Sequence, residues 1–421
     1  MDARGFANML YACGQLGVAP PTSWMRVFWN SSLLVLCELN EQGLSNTIYA
    51  CAQLSIVPPA DWLQHFWHAS ALKLGEFNPQ DFSNTLYACA QLDITPPADW
   101  LQQYWHASAL KLGEFKPQEL SNTVYACGQL GIELNPYWLQ RFWHISALKL
   151  GEFNQQNLSN TLYACRQLNI VPPVDWLRRY WHASALKLGE FEPQGLSNTM
   201  YACGQLGITP PAAWLQPFSE SFERLLPKMS RQDLSNTALS LATLGLWDLS
   251  LWPGLWERLC HALPRDSTCW NAETTVEAQQ LYQAYQAATV ERPGLLSAPD
   301  PVLLAAARKT WCNNMDGTTS KLHAEFSACL TRMGVAHANE RWCERAERRI
   351  DIVIEDSGRP IALEVDGPSH FLQDGRPDGS TRLRNRMLAA HGWRVVVVGH
   401  RMWADLRTQA QREEYLRGLL A

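Results

Sequence analysis

Four side chains in the last quarter of the sequence have the types and spacing for metal-assisted chemistry: Asp351, Glu364, Asp366 and His370. Asp351 lies in Arg349-Ile-Asp-Ile-Val-Ile-Glu355, whose alternation reads as a strand. The other three lie in Glu364-Val-Asp-Gly-Pro-Ser-His-Phe371, which closes a second strand over Ile361 to Val365. An Asp on one strand facing acids on its neighbour can share a divalent ion, here held by Asp351, Glu364 and Asp366, and Mg or Mn in that place activates water for phosphodiester cleavage. The competing reading is a pocket without catalysis. In it Arg341, Arg345, Arg348, Arg349, Arg382, Arg384 and Arg386 hold RNA or a protein partner. The residues alone leave both open.

The elements that must place these groups follow from period and punctuation. Ser320 to Met333 is an amphipathic helix, and Asp356-Ser-Gly-Arg-Pro360 a hairpin turn between the two strands. A helix from about Thr381 to His391, a buried strand from Trp393 to Val398 and a closing helix from Asp405 to Leu419 complete an αββαβα order. This small α/β domain takes residues 302–421.

Ahead of it the period changes. Trp62, Trp100, Trp138, Trp176 and Trp214 are spaced 38 residues apart, with Trp24 and Trp252 extending the series, and Ser-Asn-Thr recurs from Ser45 to Ser235 at the same step. A fixed period of this size predicts a solenoid whose units bury their apolar faces only against each other. Each unit reads as a helix–turn–helix hairpin. Pro58-Pro59 open one helix, and Asn78 caps the second with Pro79 as its first residue. Repeats fill residues 1–263, with a worn capping helix and linker over 264–301. The chain starts inside a repeat, because Tyr11-Ala-Cys13 match Tyr49-Ala-Cys51, so we expect a fragment of a longer protein with any targeting peptide outside it. The column Cys13, Cys51, Cys89, Cys127, Cys165 and Cys203 reads as small core residues, since no Cys-x-x-Cys pair is present. No apolar run is long enough to span a membrane.

Changing side chains on a constant scaffold suit a reader of one base per unit. Three columns vary: Gly43, Asp81, Glu119, Asn157, Gly195 and Asp233; Val27, His65, Gln103, Arg141, Arg179 and Pro217; and Gly14, Ala52, Ala90, Gly128, Arg166 and Gly204. The first is the leading candidate for base contact, and drift at solvent positions is its rival. Constant amides Asn46, Asn84, Asn122, Asn160, Asn198 and Asn236, with Gln53, Gln91, Gln129, Gln167 and Gln205, either grip RNA alike in every unit or bond a neighbouring hairpin. Lys73, Lys111, Lys149 and Lys187 either track phosphates or pair with the Glu three residues on. His68, His106, His144 and His182 read as packed or capping residues. Residues 1–263 carry a net charge of −5 and 264–421 a net charge of 0, so RNA affinity would rest on local contacts and stacking rather than bulk charge.

The pattern Pro-Pro-x-x-Trp-Leu … Pro-Gln-x-Leu-Ser-Asn-Thr-x-Tyr-Ala-x-x-Gln-Leu resembles the octotricopeptide repeat of green-algal organelle proteins. That resemblance implies sequence-specific binding of single-stranded RNA in a chloroplast or mitochondrion, acting in transcript stability, processing or translation. Binding of this kind requires no cofactor. The block Glu364 to Phe371 resembles the RAP domain, and the layout is similar to the broader restriction-endonuclease fold with its Asp … Asp/Glu-x-Lys motif. Here Asp366 stands in the Lys place. The Asp-Gly-x-x-His run is similar to very-short-patch-repair-like nucleases, and Glu325 stands where such folds supply a further acid. The expected fold is thus mainly α: a solenoid followed by a restriction-endonuclease-like domain. A repeat-addressed, Mg- or Mn-dependent endoribonuclease and a protein-interaction scaffold remain as alternatives, with protein partners in a ribonucleoprotein complex also expected.

Overall fold

The computed structural model describes residues 3–313, 321–355 and 358–420. Ser320 of the expected helix and Asp356 and Ser357 of the expected turn lie outside them. The chain divides into two compact units, residues 1–195 and 196–421.

The first unit is a pure helical array. Trp-bearing helices (the A helices) span Thr22–Leu33, Ala60–Ala71, Ala98–Lys111, Pro136–Lys149 and Val174–Ala185. The Ser-Asn-Thr helices (the B helices) span Ala3–Leu16, Glu41–Gln53, Pro79–Gln91, Pro117–Leu130 and Gln155–Gln167. Asn78 caps its B helix and Pro79 is the first helical residue, whereas Pro59 is itself the cap of its A helix. B helices end at a recurrent left-handed residue, Gly17, Ser55, Asp93, Gly131 and Asn169. Four of the five are Gly, Asn or Asp, the types that tolerate this conformation; Ser55 is the exception.

The two layers pack by different chemistry. A helices meet through aromatics: Trp29 lies against Trp62, Trp67 against Trp100, Trp105 against Trp138 and Trp143 against Trp176, with ring centroids 5.1–5.2 Å apart. Trp62, Trp100 and Trp176 each donate an indole N–H to the serine of the preceding A helix, Ser32, Ser70 and Ser146. B helices meet through buried Ala50, Ala88, Ala126 and Ala164 and the buried cysteines. Small side chains let axes approach more closely than Trp does, so the B layer is the more tightly packed of the two. All twelve cysteines are free, and burial pushes the thiols of Cys51, Cys89, Cys127 and Cys165 up. These four are core residues, as expected, whereas Cys13 of the same column is only partly buried.

In the second unit the repeat continues through Pro193–Leu206, Ala212–Leu225, Arg231–Leu244 and Trp252–Ala262, then the longer Ala272–Glu291 and Pro301–Asn313. Beyond it lies a four-stranded sheet: β1 (Ala338–Cys343), β2 (Arg348–Ile354), β3 (Ile361–Asp366) and β4 (Arg394–Gly399), in that spatial order. β1–β2 and β2–β3 are antiparallel, and β3–β4 is parallel. The sequence reading lacks β1, an edge strand with Glu340 and Arg341 exposed or partly so and without apolar alternation. One sheet face packs helices Lys321–Arg332, His400–Asp405 and Gln409–Leu420 around Phe326, Leu363 and Trp403. The other faces helix Gly379–Ala390 through Ile350, Ala362 and Leu388. That helix also fastens the sheet to the last repeats. Arg382 donates to the Gly207 carbonyl, and Arg386 to the carbonyls of Ala242 and Thr243 and to Glu291. No helix among the described residues is long and apolar enough to cross a membrane.

Candidate nucleic-acid face and acidic pocket

Alternation along β3 sends Leu363 and Val365 to one face and Glu364 and Asp366 to the other, toward helix Gly379–Ala390. The ladder between β2 and β3 stops at Ile352–Leu363. One residue on, the Asp351 side chain replaces its backbone and accepts the Val365 N–H at 2.7 Å. The three acids do converge in this gap, since Asp351 and Asp366 both raise the pKa of Glu364.

Arg384 fills the convergence point. Its guanidinium donates to both oxygens of Asp366 at 2.8 and 3.0 Å and stands 3.4 Å from Glu364 Oε2. Glu364 and Asp366 are fully buried. Burial raises the Asp351 pKa, and desolvation pushes that of Glu364 up to about 8 despite Arg384. A divalent ion would need these oxygens, but the Arg384 guanidinium holds both oxygens of Asp366 and faces Glu364 Oε2, and the Val365 N–H takes Asp351. With that cation in place the residues do not fit the expected Mg or Mn ion. His370 borders the group, with Nδ1 3.2 Å from Thr381 Oγ1 and 3.7 Å from Asp366. Glu325 does not: it accepts from the Trp403 indole and pairs with Arg412 on the other face of the sheet. The sequence reading gives Arg384 to RNA or a protein partner and misses its pairing with Asp366, 18 residues earlier, a spacing no motif covers. It also missed His323 and Glu340, which form a group with Asp351 whose ligand-type atoms lie within 4.8 Å of one another. Both His323 nitrogens are engaged, with Glu340 at 3.2 Å and Asn339 at 3.1 Å.

In the repeats, the structure redistributes the expected roles. The leading variable column is the third residue of each B helix, and its side chains turn back to the helix start. Asp81, Glu119, Asn157 and Asp233 accept the backbone N–H of Asn78, Lys116, Asn154 and Ser230 at 2.7–3.3 Å. Gly43 instead donates its own N–H to Asn40, and Gly195 has no side chain to offer. Asp81, Asn157 and Asp233 are buried. This column is a capping position, with the variation confined to residues that can cap or to Gly. The lysines are also committed elsewhere. Lys111 donates to the carbonyls of Gly75 and Phe77 at 2.9 and 2.7 Å, and Lys149 to those of Gly113 and Phe115. Lys187 does the same at Gly151 and Phe153, and Lys73 at Leu39. They pin the turn of the preceding hairpin rather than pairing with the Glu three residues on.

His65, Gln103 and Arg179 lie exposed on the A layer, Arg141 lies over the Tyr137 ring, and the histidine column from His68 to His182 is exposed rather than packed. Arg178, Arg179 and His182 line a groove of about 540 Å³ between two A helices. The third column lies in the B-layer seam: a Cβ on Gly14 or Gly128 would come within 2.7 Å of Gln53 or Gln167 Oε1. Arg166 occupies this column in its unit, partly buried.

What each B helix of the first unit leaves toward solvent is a nearly constant stripe. Gln42, Asn46, Tyr49 and Gln53 form it in one unit, and Gln80, Asn84, Tyr87 and Gln91 in the next. Gln118, Asn122, Tyr125 and Gln129 follow, then Gln156, Asn160, Tyr163 and Gln167. The Asn amides are partly exposed and make no side-chain hydrogen bond to the protein among the described residues. In the second unit Asn198 keeps this exposure, but Asn236 is buried and accepts from Gln280. Flanking Asn, Ser45 and Ser121 donate across the seam to the carbonyls of Asp81 and Asn157, and Thr47 and Thr123 bond their own helix. Two of the three Ser-Asn-Thr side chains thus hold the scaffold and the middle one faces out. The tyrosines escaped the sequence reading, although an i+3 step from Asn places them on the same face.

Residues 363–419 match the model of the RAP domain, and residues 63–186 that of the Tbc2 translation factor, N-terminal domain. A rice protein (Oryza sativa subsp. japonica) described as RAP domain-containing protein, chloroplastic, is 29% identical over 176 residues, which is 41% of this chain and 27% of that protein. The aligned part is therefore about a quarter of the relative's length.

Proposed function

We propose that this chain binds single-stranded RNA of an organelle along the B layer of its repeats, and thereby acts in the stability, processing or translation of a transcript. The observation that carries this reading is the row of unpartnered amides, Asn46, Asn84, Asn122 and Asn160, held in one register by Ser and Thr bonds beneath them. Amides both donate and accept, so they suit bases and sugars alike. The RAP match and the chloroplastic name of the rice protein support an organellar RNA role, and the Tbc2 match makes translation one candidate process. Binding of this kind asks for no metal. The repeat-addressed nuclease is disfavoured by Arg384, which occupies the carboxylates it needs.

The A layer favours a protein partner as a second, compatible contact. It exposes one leucine per unit, Leu34, Leu72, Leu110, Leu148 and Leu186, on a surface whose net charge is not basic. The test of the main reading is retention of a random single-stranded RNA pool by the full chain, then repetition with Asn84→Ala and Asn122→Ala combined. Retention by the native chain and its weakening in the variant is expected. No retention over a protein-free control sinks the reading.

A further inference from the structure

The B-layer stripe holds aromatic rings outside the core. Tyr11, Tyr49, Tyr87, Tyr125 and Tyr163 recur every 38 residues, each partly buried and flanked by the exposed Asn three residues before and the Gln four residues after. They form one continuous row. Burial raises the pKa of Tyr49, and the Tyr87 and Tyr11 phenols raise it further; burial, Tyr163 and Tyr87 do the same for Tyr125. Among the described residues, Tyr49, Tyr87, Tyr125 and Tyr163 find no hydrogen-bond partner for their hydroxyls, unlike the core tyrosine Tyr104, which donates to the Phe82 carbonyl. An amphipathic ring held half out of a helix face with its polar tip unused is available to a ligand.

The spacing selects the ligand. Helix axes packed through Ala, Cys and Gly lie near the low end of about 8–10 Å. A flat ring between two others needs two carbon contacts of about 3.5–4.0 Å each, about 7–8 Å together. One planar base therefore fits between the phenols of consecutive repeats, and the Asn and Gln on either side reach its edges. Because every base has a π-face and the amides are the same in each unit, these slots take any base.

We propose that the tyrosine row forms four slots, between Tyr11 and Tyr49, Tyr49 and Tyr87, Tyr87 and Tyr125, and Tyr125 and Tyr163, each holding one unstacked base of single-stranded RNA without regard to its identity. This rests on the RNA reading above and fixes its register at one nucleotide per repeat.

The experiment titrates the full chain with short unstructured single-stranded RNAs of mixed sequence, some carrying 2-aminopurine, whose fluorescence is quenched by stacking. Tyr87→Leu, Tyr87→Phe and the Tyr87→Leu/Tyr125→Leu pair are compared with the native chain, with thermal melting to verify folding. Tyr87→Leu is expected to weaken binding about 5- to 100-fold for every sequence and relieve the quench, the pair more so, while Tyr87→Phe stays within about twofold. Two results overturn the slots and leave RNA binding intact: native affinity in the Leu variants, or equal losses in the Phe and Leu variants, which would place the contact on the hydroxyl. If the native chain binds none of these RNAs, the RNA reading falls and the slots with it.

Discussion

At Arg384 one side chain decides what the acidic pocket is. Three carboxylates in a gap between strands repel unless a cation joins them, and here that cation is covalently part of the chain. Arg384→Ala should therefore cost about 3–5 kcal/mol in urea unfolding, the penalty for stranding a buried charge. Mn²⁺ should restore part of that loss in the variant and leave the native midpoint unmoved. A variant indifferent to Mn²⁺ would show that the acids do not form a cation-shaped cage. Glu364 adds a pH signature. Its folded pKa, raised to about 8 chiefly by desolvation, exceeds its unfolded one, so the folded state binds the proton more tightly. Stability is then greatest below the ordinary glutamate range and falls as pH climbs from there to about 8. Glu364→Gln keeps the neutral shape and removes the titration, so its urea midpoint should fall less over that range. Equal slopes would mean that Glu364 does not titrate there. The sequence showed which acids meet, because strand alternation fixes their face. It hid the cation, which comes from a helix 18 residues on and is recognisable only once packing brings it across.

Within each hairpin, the periodic sequence makes the helices and the B-helix caps legible. What it could not separate was variation that serves a ligand from variation that serves a cap. Asp81 and Glu119 differ in size, yet each bonds the N–H three residues before it. Exchanging them, Asp81→Glu with Glu119→Asp, should leave the selected RNA sequences unchanged, while Asp81→Ala should lower stability by about 0.5–2 kcal/mol through the lost cap. A shift in selected bases after the exchange would return this column to base recognition. The lysine column carried the same ambiguity. A Lys at or just past the end of an A helix reads equally as a phosphate contact or an ion pair, and only the carbonyls of Gly75 and Phe77 beside Lys111 show what it holds. The β1 strand was illegible for a simpler reason. An exposed edge strand buries too little to need an apolar alternation.

On the proposed RNA reading, charge and geometry predict for the whole chain an affinity that owes little to bulk electrostatics. The chain carries −5 overall, and its regular lysines are bound to backbone carbonyls rather than offered to phosphates. Affinity built on amides and rings releases few counterions, because each phosphate neutralised on a single strand contributes a slope of only about −0.7 in log K against log salt. With at most two such contacts the full chain should show a slope no steeper than about −1.5. Removing Lys111 as Lys111→Met should leave that slope unchanged while lowering stability, since its ammonium holds the preceding turn. Binding measured from low to physiological salt checks both statements together. A steep slope that flattens in Lys111→Met would mean that the ammonium leaves its carbonyls for phosphate when RNA arrives, and the B layer would then be an electrostatic surface instead of a stacking one.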